Sequence, residues 1–310
     1  MKILVTGGAG FIGSHIVDAY VDAGHEVVII DDLSTGHARH VNPRARFLKM
    51  DVRDPELQDL FAAEGFNIVN HQAARGDVRA SMEDPEGYAD VNIRGGIHLL
   101  ECSRRSGVSK FIYASTGGCV YGEPQYLPAD EQHPIAPRDP YGASKASFEL
   151  YLPLYSLNYG LRYTILRYPN VYGPRQDPFG EAGVVSIFIG QMLRGLQAVI
   201  NGDGEQIRDF VYVADVVEAN LLALEKGDDQ IYNLGWGRGI SINEIFRRLQ
   251  TLTGYRLAEV HGPPKLGEVR RSVLNATKAQ QELGWRPTVE IEEGLRRTVE
   301  YFRTILFASS

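Results

Sequence analysis

VTGGAGFIG, residues 5–13, follows a short apolar segment and opens a helical pattern. The spacing of Gly7, Gly10 and Gly13 lets a backbone turn tightly, approach a pyrophosphate and pack a helix onto a sheet. Asp31 ends the next strand-like segment, where a carboxylate binds an adenosine ribose and repels a 2'-phosphate. The stretch predicts a dinucleotide site that prefers NAD to NADP. A glycine-rich turn without a ligand is the alternative.

The first half of the chain alternates β-branched segments with helical patterns, which is typical of βαβ units in a parallel sheet. We therefore expect an α/β fold, a doubly wound Rossmann-type parallel sheet with a smaller C-terminal substrate-binding lobe. The NAD-binding domain is predicted at residues 1–168 and the second lobe at 169–310, with residues 231–234 returning to the sheet. The predicted strands are 2–5, 26–30, 46–49, 67–70, 110–114 and 162–167, and the predicted helices are 12–23, 55–64, 89–106 and 140–158.

Local signals mark the last of these helices. Asp139 is a suitable N-cap and Pro140 a suitable first-turn residue. Pro153 lacks the N–H that would bond the carbonyl of Glu149, so we expect a kink there.

Composition excludes several classes of function. The 310 residues, 44% of them hydrophobic, can bury a large core. The 32 basic and 39 acidic residues give a net charge of -7 without long runs of one sign, so neither nucleic acid nor membrane is an expected partner. Apolar stretches are far shorter than the roughly 20 residues that span a bilayer. Cys102 and Cys119 show no metal-ligand spacing. We expect a cytoplasmic protein without a metal site.

A second group of residues predicts proton transfer. Tyr141 and Lys145 lie four residues apart at the start of a helix and therefore share one face. A neighbouring ammonium lowers the pKa of a tyrosine and makes the phenolate usable as a base. Thr116 follows a predicted strand, at the edge where open α/β sheets bind ligands. A surface tyrosine and lysine in stacked register is the alternative interpretation.

The chain resembles the extended short-chain dehydrogenase/reductase family and, within it, the UDP-glucose 4-epimerases. The likeness covers nearly the whole chain. It is carried by TGGAGFIG (6–13), DDLSTG (31–36), DVRD (51–54), HQAA (71–74), YGASK (141–145), RYPNVYGPR (167–175) and GDGEQIRDFVYV (202–213).

This resemblance implies roles for individual residues. Tyr141 is the implied catalytic base, Lys145 binds the nicotinamide ribose, and Thr116 binds the sugar 4-hydroxyl. The implied cofactor contacts are Gly7, Gly10, Phe11, Ile12, Gly13, Asp31, Leu33, Ser34, Thr35, Gly36, Asp51, Val52, Gln72, Ala73, Ala74, Arg75, Asn92, Ser115, Tyr141, Lys145 and Pro169. The implied substrate contacts are Thr116, Tyr141, Asn170, Val185, Asn201, Arg208, Lys265, Glu268 and Ser272.

Some of these assignments have plain alternatives. Asp51 could instead cap its own loop, and Arg208 could form an exposed ion pair with Asp209. Lys265 stands where the family often has an arginine, so it supplies charge without a bidentate fork. Arg75 also departs from the family pattern, and the sequence assigns it no role.

The resemblance implies NAD-dependent, redox-neutral 4-epimerisation of a UDP-hexose through a 4-keto intermediate, with NAD tightly bound. Ser272 stands where some epimerases carry a bulky tyrosine, so it leaves room for an N-acetylated sugar. A 4,6-dehydratase or decarboxylase resembles this pattern but needs an acid where Gly117 and Gly118 stand. A non-catalytic NAD-binding sensor would have no use for a base beside the nicotinamide.

The resemblance also implies a homodimer, formed by the helices predicted at 89–106 and 140–158. Apolar side chains that suit such a face, and that suit an internal core equally, are Phe148, Tyr151, Leu152 and Tyr155.

Overall fold

The computed structural model describes residues 1–178, 183–264 and 268–307. Its strands are β1 (Lys2–Thr6), β2 (Glu26–Asp31), β3 (Arg46–Lys49), β4 (Ile68–His71), β5 (Lys110–Thr116), β6 (Arg162–Tyr168), β7 (Asn170–Tyr172), β8 (Val199–Asn201), β9 (Ile207–Arg208), β10 (Phe210–Tyr212), β11 (Gln230–Asn233), β12 (Ile240–Ser241), β13 (Val260–Gly262) and β14 (Arg271–Ser272). Its α-helices are α1 (Phe11–Asp22), α2 (Leu57–Glu64), α3 (Val78–Glu83), α4 (Pro85–Ala89), α5 (Gly96–Arg105), α6 (Pro140–Glu149), α7 (Tyr151–Tyr159), α8 (Val184–Leu193), α9 (Val213–Ala223), α10 (Ile242–Thr253) and α11 (Ile291–Phe307).

The central sheet has the strand order β11-β6-β5-β4-β1-β2-β3. Every neighbouring pair is parallel. The order 3-2-1-4-5-6 within it is that of a doubly wound dinucleotide-binding sheet, which binds ligands at its carboxyl edge where the order reverses. The predicted fold class is confirmed, and β11 is the returning strand predicted at 231–234.

Both faces of this sheet are covered. Ile3 and Val5 point into one buried cluster and Leu4 into the other, because alternate residues of a strand face opposite sides. Helices α1 and α9 contribute to the first cluster, and α2, α5 and α6 to the second. Since α9 packs against α1, residues beyond 169 complete the core of the first lobe. The domain boundary at 168/169 remains a prediction.

The helix predicted at 140–158 is divided into α6 and α7. The break at Leu150 lies one turn before Pro153, whose ring nitrogen has no hydrogen for the carbonyl of Glu149. The expected kink is therefore confirmed. Asp139 is also confirmed as the N-cap, since its carboxylate accepts the N–H of Gly142 at 2.7 Å.

The helix predicted at 89–106 is wrong as a single regular helix. Between α4 and α5, residues Asp90–Gly95 form a π-helical turn. Such π-helical turns are rare and are frequently found at functional sites. The turn carries Asn92, so a residue predicted to contact the cofactor coincides with the irregularity.

Most of the apolar side chains predicted for a subunit face on α6 and α7 are buried in the internal core. Phe148, Leu152 and Tyr155 are buried against the sheet, which is the second of the two interpretations given for them. The most exposed apolar side chains here are instead Leu150 and Leu157, at 76% and 85%, and Leu154 and Tyr159 are exposed as well.

The second lobe is built on small sheets and helices. Its sheets are β10-β7, β12-β9-β14 and β13-β8. The C-terminal segment is tied to α9 because Asp215 accepts bonds from Thr288 and Val289 and its carbonyl accepts the Trp285 indole at 2.7 Å. Within the described ranges, no helix has the length and apolarity needed to cross a membrane.

Candidate active site

The glycine-rich stretch forms a cradle at the carboxyl end of β1. Gly7 has a φ of 70°, and a Cβ there would meet the backbone nitrogen of Ala73. A Cβ on Gly13 would overlap the carbonyl of Gly7. Helix α1 starts after Gly10, and no described side chain caps it, so its first N–H groups face the cradle unpaired by side chains. The cradle fits a pyrophosphate.

Asp31 ends β2 beside this cradle. Its carboxylate accepts the N–H of Ala9 at 3.0 Å and that of Leu33 at 2.8 Å. Burial raises its pKa. A Cβ on Gly36 would lie 2.7 Å from the same carboxylate. The acid, the cradle and the 33–36 loop therefore form one unit, with Ser34 and Thr35 in the same loop.

The loop after β4 is held against the cradle. The hydroxyl of Thr6 accepts the N–H of Ala73 at 3.1 Å and shares a 2.7 Å bond with His71. The amide of Gln72 turns inward and donates to Asn70 at 2.6 Å. The backbone of this loop, rather than the Gln72 side chain, faces the cradle.

Arg75 closes the same loop. Its backbone N–H and carbonyl both bond the side chain of Asn92, at 2.9 and 3.0 Å, and Asn92 also donates to Ser144 of α6. The guanidinium lies 4.5 Å above the ring of Tyr88 and pairs with Asp84. The structure thus gives Arg75, which the sequence left without a role, a place in fastening the loop to α4.

Asp51 is engaged in its own loop. Its carboxylate accepts the backbone N–H and the Nε of Arg53, both at 2.8 Å. That guanidinium lowers the pKa of Asp51. The loop-capping alternative is therefore what the structure shows, and a contact of Asp51 with adenine remains a prediction. Val52 is buried beneath the loop.

Three residues predicted to carry the chemistry meet at the carboxyl end of β5. Burial raises the pKa of Tyr141, and the neighbouring Thr116 side chain opposes that shift. Lys145 is 3% exposed, and its Nζ donates to the carbonyl of Ala114 at 2.7 Å and lies 4.7 Å from the centre of the Tyr113 ring. The alternative of a surface tyrosine and lysine is wrong, because the lysine is buried.

Burial shifts the titration of this pair. Desolvation raises the pKa of Tyr141, since a phenolate loses solvation in the interior. Desolvation also lowers the pKa of Lys145 to about 7. A tyrosine base therefore needs cations close by, and the charge of Lys145 becomes sensitive to its neighbours near neutral pH.

Ser115 bonds Glu149 rather than Tyr141 or Lys145. Its hydroxyl donates to the buried carboxylate of Glu149, which also accepts the Nε of Arg167 at 3.0 Å. Arg167 in turn donates to Tyr121 at 2.7 Å. Sequence reasoning missed this network, although Glu149 lies four residues beyond Lys145 and its helical spacing indicates the same face. A cofactor contact through Ser115 remains a prediction.

A second group of predicted residues lines an open cavity of about 550 Å³ in the second lobe. Its lining includes Asn201 and Glu268. Arg208 pairs with Glu268 at 3.0 Å, and Gln206, which sequence reasoning missed, bridges Glu268 and the carbonyl of Asn201. The structure brings three implied substrate contacts to one place.

The alternative role for Arg208 is wrong. Asp209 is 1% exposed and accepts the N–H groups of Trp236, Gly237 and Leu274, so it forms no exposed ion pair. Burial raises the pKa of Asp209 to about 6. The order Arg-Asp on adjacent strand positions suggested a pair, but successive side chains point to opposite sides.

The remaining implied substrate contacts belong neither to the Thr116–Tyr141–Lys145 group nor to the cavity lining named above. Ser272 is the strand partner of Arg208, and Asn170 follows Pro169 at the start of β7. Val185 is buried in α8. Lys265 lies outside the described residues.

The segment after Thr116 is closely packed. A Cβ on Gly117 would overlap the side chain of Leu274, whereas one on Gly118 would lie 3.6 Å from the Thr116 hydroxyl. Leu274 is 1% exposed and is fixed by Asp209. An acidic side chain at position 117 therefore has no room in this packing.

Proton transfer by a tyrosine beside a bound dinucleotide is the chemistry of short-chain dehydrogenase/reductase enzymes, and the fold and site place this chain in that class. Residues 3–235 match the model of the NAD dependent epimerase/dehydratase family. The chain therefore belongs to that family, whose cofactor the glycine cradle fits.

Individual relatives are similar over almost their full length. A putative UDP-glucose 4-epimerase of Methanocaldococcus jannaschii is 48% identical, with 97% of this chain and 98% of the relative covered. The structure of UDP-glucose 4-epimerase from Thermotoga maritima with UDP-glucose has a TM-score of 0.98 and 50% identity, covering 99% of this chain and 100% of that one. The Thermus thermophilus UDP-glucose 4-epimerase complex with NAD has a TM-score of 0.94 and 46% identity, covering 98% and 99%.

Proposed function

We propose that this chain catalyses the NAD-dependent 4-epimerisation of a UDP-hexose and interconverts UDP-glucose and UDP-galactose. The observation that carries the proposal is the position of Tyr141 beside Thr116 and the buried Lys145, whose Nζ donates to the carbonyl of Ala114. The full-length similarity to UDP-glucose 4-epimerases supports the choice of substrate. We also propose that the enzyme is a homodimer and that it acts in the cytoplasm.

Bound NAD supplies the hydride acceptor and donor for C4 of the sugar. The cradle of Gly7, Gly10 and Gly13 at the N-terminus of α1 holds its pyrophosphate. Asp31 holds the adenosine ribose, and Lys145 holds the nicotinamide ribose.

Thr116 and Tyr141 hold the sugar 4-hydroxyl between them. The phenolate oxygen of Tyr141 takes the hydroxyl proton, and the ammonium of Lys145 stabilises the phenolate. Arg208 holds the diphosphate with its guanidinium fork, so the 4-keto sugar stays anchored while it turns about its link to the diphosphate. Tyr141 then returns the proton to the oxygen, and C4 has the opposite configuration.

The alternative of elimination, as in a 4,6-dehydratase, is disfavoured because the site lacks the acid that it needs. Such a reaction needs an acid beside the threonine, and Gly117 and Gly118, which follow Thr116, supply none. At position 117 a side chain would also have to displace Leu274. A redox-neutral epimerisation needs only the tyrosine, which both removes and returns the proton.

Replacing Tyr141 tests the proposal. We expect Tyr141→Phe to lower kcat for UDP-galactose by about 10²- to 10⁴-fold, because general acid–base catalysis contributes that much. The variant should still bind the substrate, since the ring and its packing remain. Conversion is followed by chromatography of the two UDP-hexoses.

Tyr159→Phe is the matched control. Tyr159 is 54% exposed at the end of α7, and we expect its variant to retain native turnover. Native-like turnover by Tyr141→Phe would overturn the catalytic assignment. Absence of any conversion by the native protein would favour the NAD-binding sensor.

A further inference from the structure

The carboxylate of Glu149 lies one helical turn beyond Lys145, on the same face of α6. It is 5% exposed and accepts bonds from the Ser115 hydroxyl and from Nε and Nη2 of Arg167. Bidentate pairing with a guanidinium gives a carboxylate strong hydrogen bonds and a fixed orientation. The helix therefore carries a carboxylate, held in place, one turn from the proposed catalytic lysine.

Arg167 is itself fully anchored. It is 3% exposed, and its Nη1 donates to Tyr121, whose hydroxyl donates to Asn233 at 2.7 Å. Tyr121 also lies under the guanidinium, 5.1 Å from its carbon. The pair therefore cannot move away from Lys145 without breaking several buried hydrogen bonds.

The other titratable groups around Lys145 do not supply a negative charge in place of the Glu149 carboxylate. His71 is buried and neutral, with its pKa lowered to about 3 by desolvation, and burial raises the pKa of Tyr113. Glu149 is the group that opposes the desolvation of Lys145. The titratable and charged groups that face the lysine and tyrosine from the surrounding described elements are His71, Tyr88, Tyr113, Cys119, Asp139, Glu149 and Arg167.

We propose that Glu149, locked by Arg167, is a positioning residue that keeps the buried Lys145 protonated and thereby sustains Tyr141 as a base. This inference rests on the proposed epimerase function. A neutral lysine would leave the phenolate without its cation, and a proton would stay on the tyrosine. Glu149 matters because desolvation brings the pKa of Lys145 down to about 7 even with this carboxylate in place, so without it the lysine would be neutral over the working pH range.

The proposal is tested by titrating Lys145 directly. The protein with bound NAD is labelled with ¹³C at lysine Cε, and Lys145, one of seven lysines, is assigned with a Lys145→Arg variant. We expect Lys145 to titrate at lower pH in Glu149→Gln than in the native protein. We also expect the kcat of this variant at pH 7.5 to fall by about tenfold or more, since each pKa unit is a factor of ten in protonation, while KM for UDP-galactose changes less than about twofold.

Two variants separate a charge effect from a structural brace. Arg167→Met removes the partner of the buried carboxylate, so the titration of Lys145 should move to lower pH, as in Glu149→Gln. Glu149→Asp keeps the charge and should titrate close to the native lysine. Glu101→Gln is the control, because Glu101 of α5 is likewise paired with an arginine, Arg104, and lies outside the site.

Three results would overturn the inference. They are a native titration of Lys145 in Glu149→Gln, a shift in Glu149→Asp as large as that in Glu149→Gln, and a shift in Glu101→Gln. Circular dichroism establishes that each variant folds, and Arg167→Met serves if Glu149→Gln does not fold. Turnover of UDP-galactose by the native protein tests the proposed function separately.

Discussion

Tyr141 and Lys145 could be found from the sequence because their spacing places them on one helix face, but their burial could not. Burial of Lys145 arises from Tyr113 and Ala114 of β5, far away in the chain. The same strand explains why Thr116, rather than Ser115, meets Tyr141. Successive residues of a strand face opposite sides, and Ser115 turns to Glu149.

Ser272 offers a test of substrate range at the level of one side chain. It is 6% exposed on β14, beside Arg208. We expect Ser272→Tyr to lower kcat/KM for UDP-N-acetylglucosamine by about tenfold or more, because the ring removes space that an N-acetyl group needs. Turnover of UDP-galactose should change far less. Product chromatography with both substrates measures the ratio.

Ser272→Ala is the control. It keeps the space, so the ratio of kcat/KM for UDP-N-acetylglucosamine to that for UDP-galactose should stay native. Equal turnover of the N-acetylated substrate by native protein and Ser272→Tyr would contradict the proposed role of this position.

Helices α6 and α7 show what binary patterning can and cannot assign. Their apolar residues were recognised in the sequence, but the pattern did not distinguish an internal core from a face between subunits. The structure assigns Phe148 and Leu152 to the core and leaves Leu150, Leu154 and Leu157 exposed. The break caused by Pro153 was predictable, because a missing N–H is a local property.

These exposed leucines make the proposed dimer testable. We expect Leu157→Glu to convert a dimer into a monomer, because a charge buried at an apolar interface costs more than the contact contributes. Size-exclusion chromatography with light scattering measures the mass. Leu196→Glu, at a 48% exposed position after α8, should stay dimeric. A monomeric native protein would contradict the proposal.

The whole molecule should lose stability in mild acid. His71 is 1% exposed, and desolvation lowers its pKa to about 3 from an ordinary value of 6.5. Below pH 6.5 the unfolded chain therefore binds a proton that the folded chain does not, so stability falls as pH falls through this window. Each pH unit costs about 1.4 kcal/mol for this one group.

Denaturant unfolding between pH 7 and 4.5 measures this slope. His71→Asn, which can still bond Thr6, should flatten it. His261→Asn should not, because His261 is exposed beside Glu259 and its pKa is raised, so any stability that it contributes is lost as pH rises. A native slope in His71→Asn would contradict the assignment.

At the scale of the molecule, the sequence predicted the parallel sheet and its returning strand because each βαβ unit is a local pattern. It did not predict that α9 completes the core beside α1, or that Asp209 fixes Leu274 against Gly117. Those contacts join residues that are distant in the chain. The absence of an acid at Gly117 and Gly118 is what favours epimerisation over elimination.

The most direct test of that claim follows the hydrogen at C4. The purified protein is incubated with UDP-galactose deuterated at C4, without added NAD, and the products are analysed by mass spectrometry and NMR. We predict UDP-glucose that retains deuterium at C4, since the hydride leaves and returns within one site. Loss of the deuterium to solvent, or release of a 4-keto-6-deoxy sugar nucleotide, would contradict redox-neutral epimerisation.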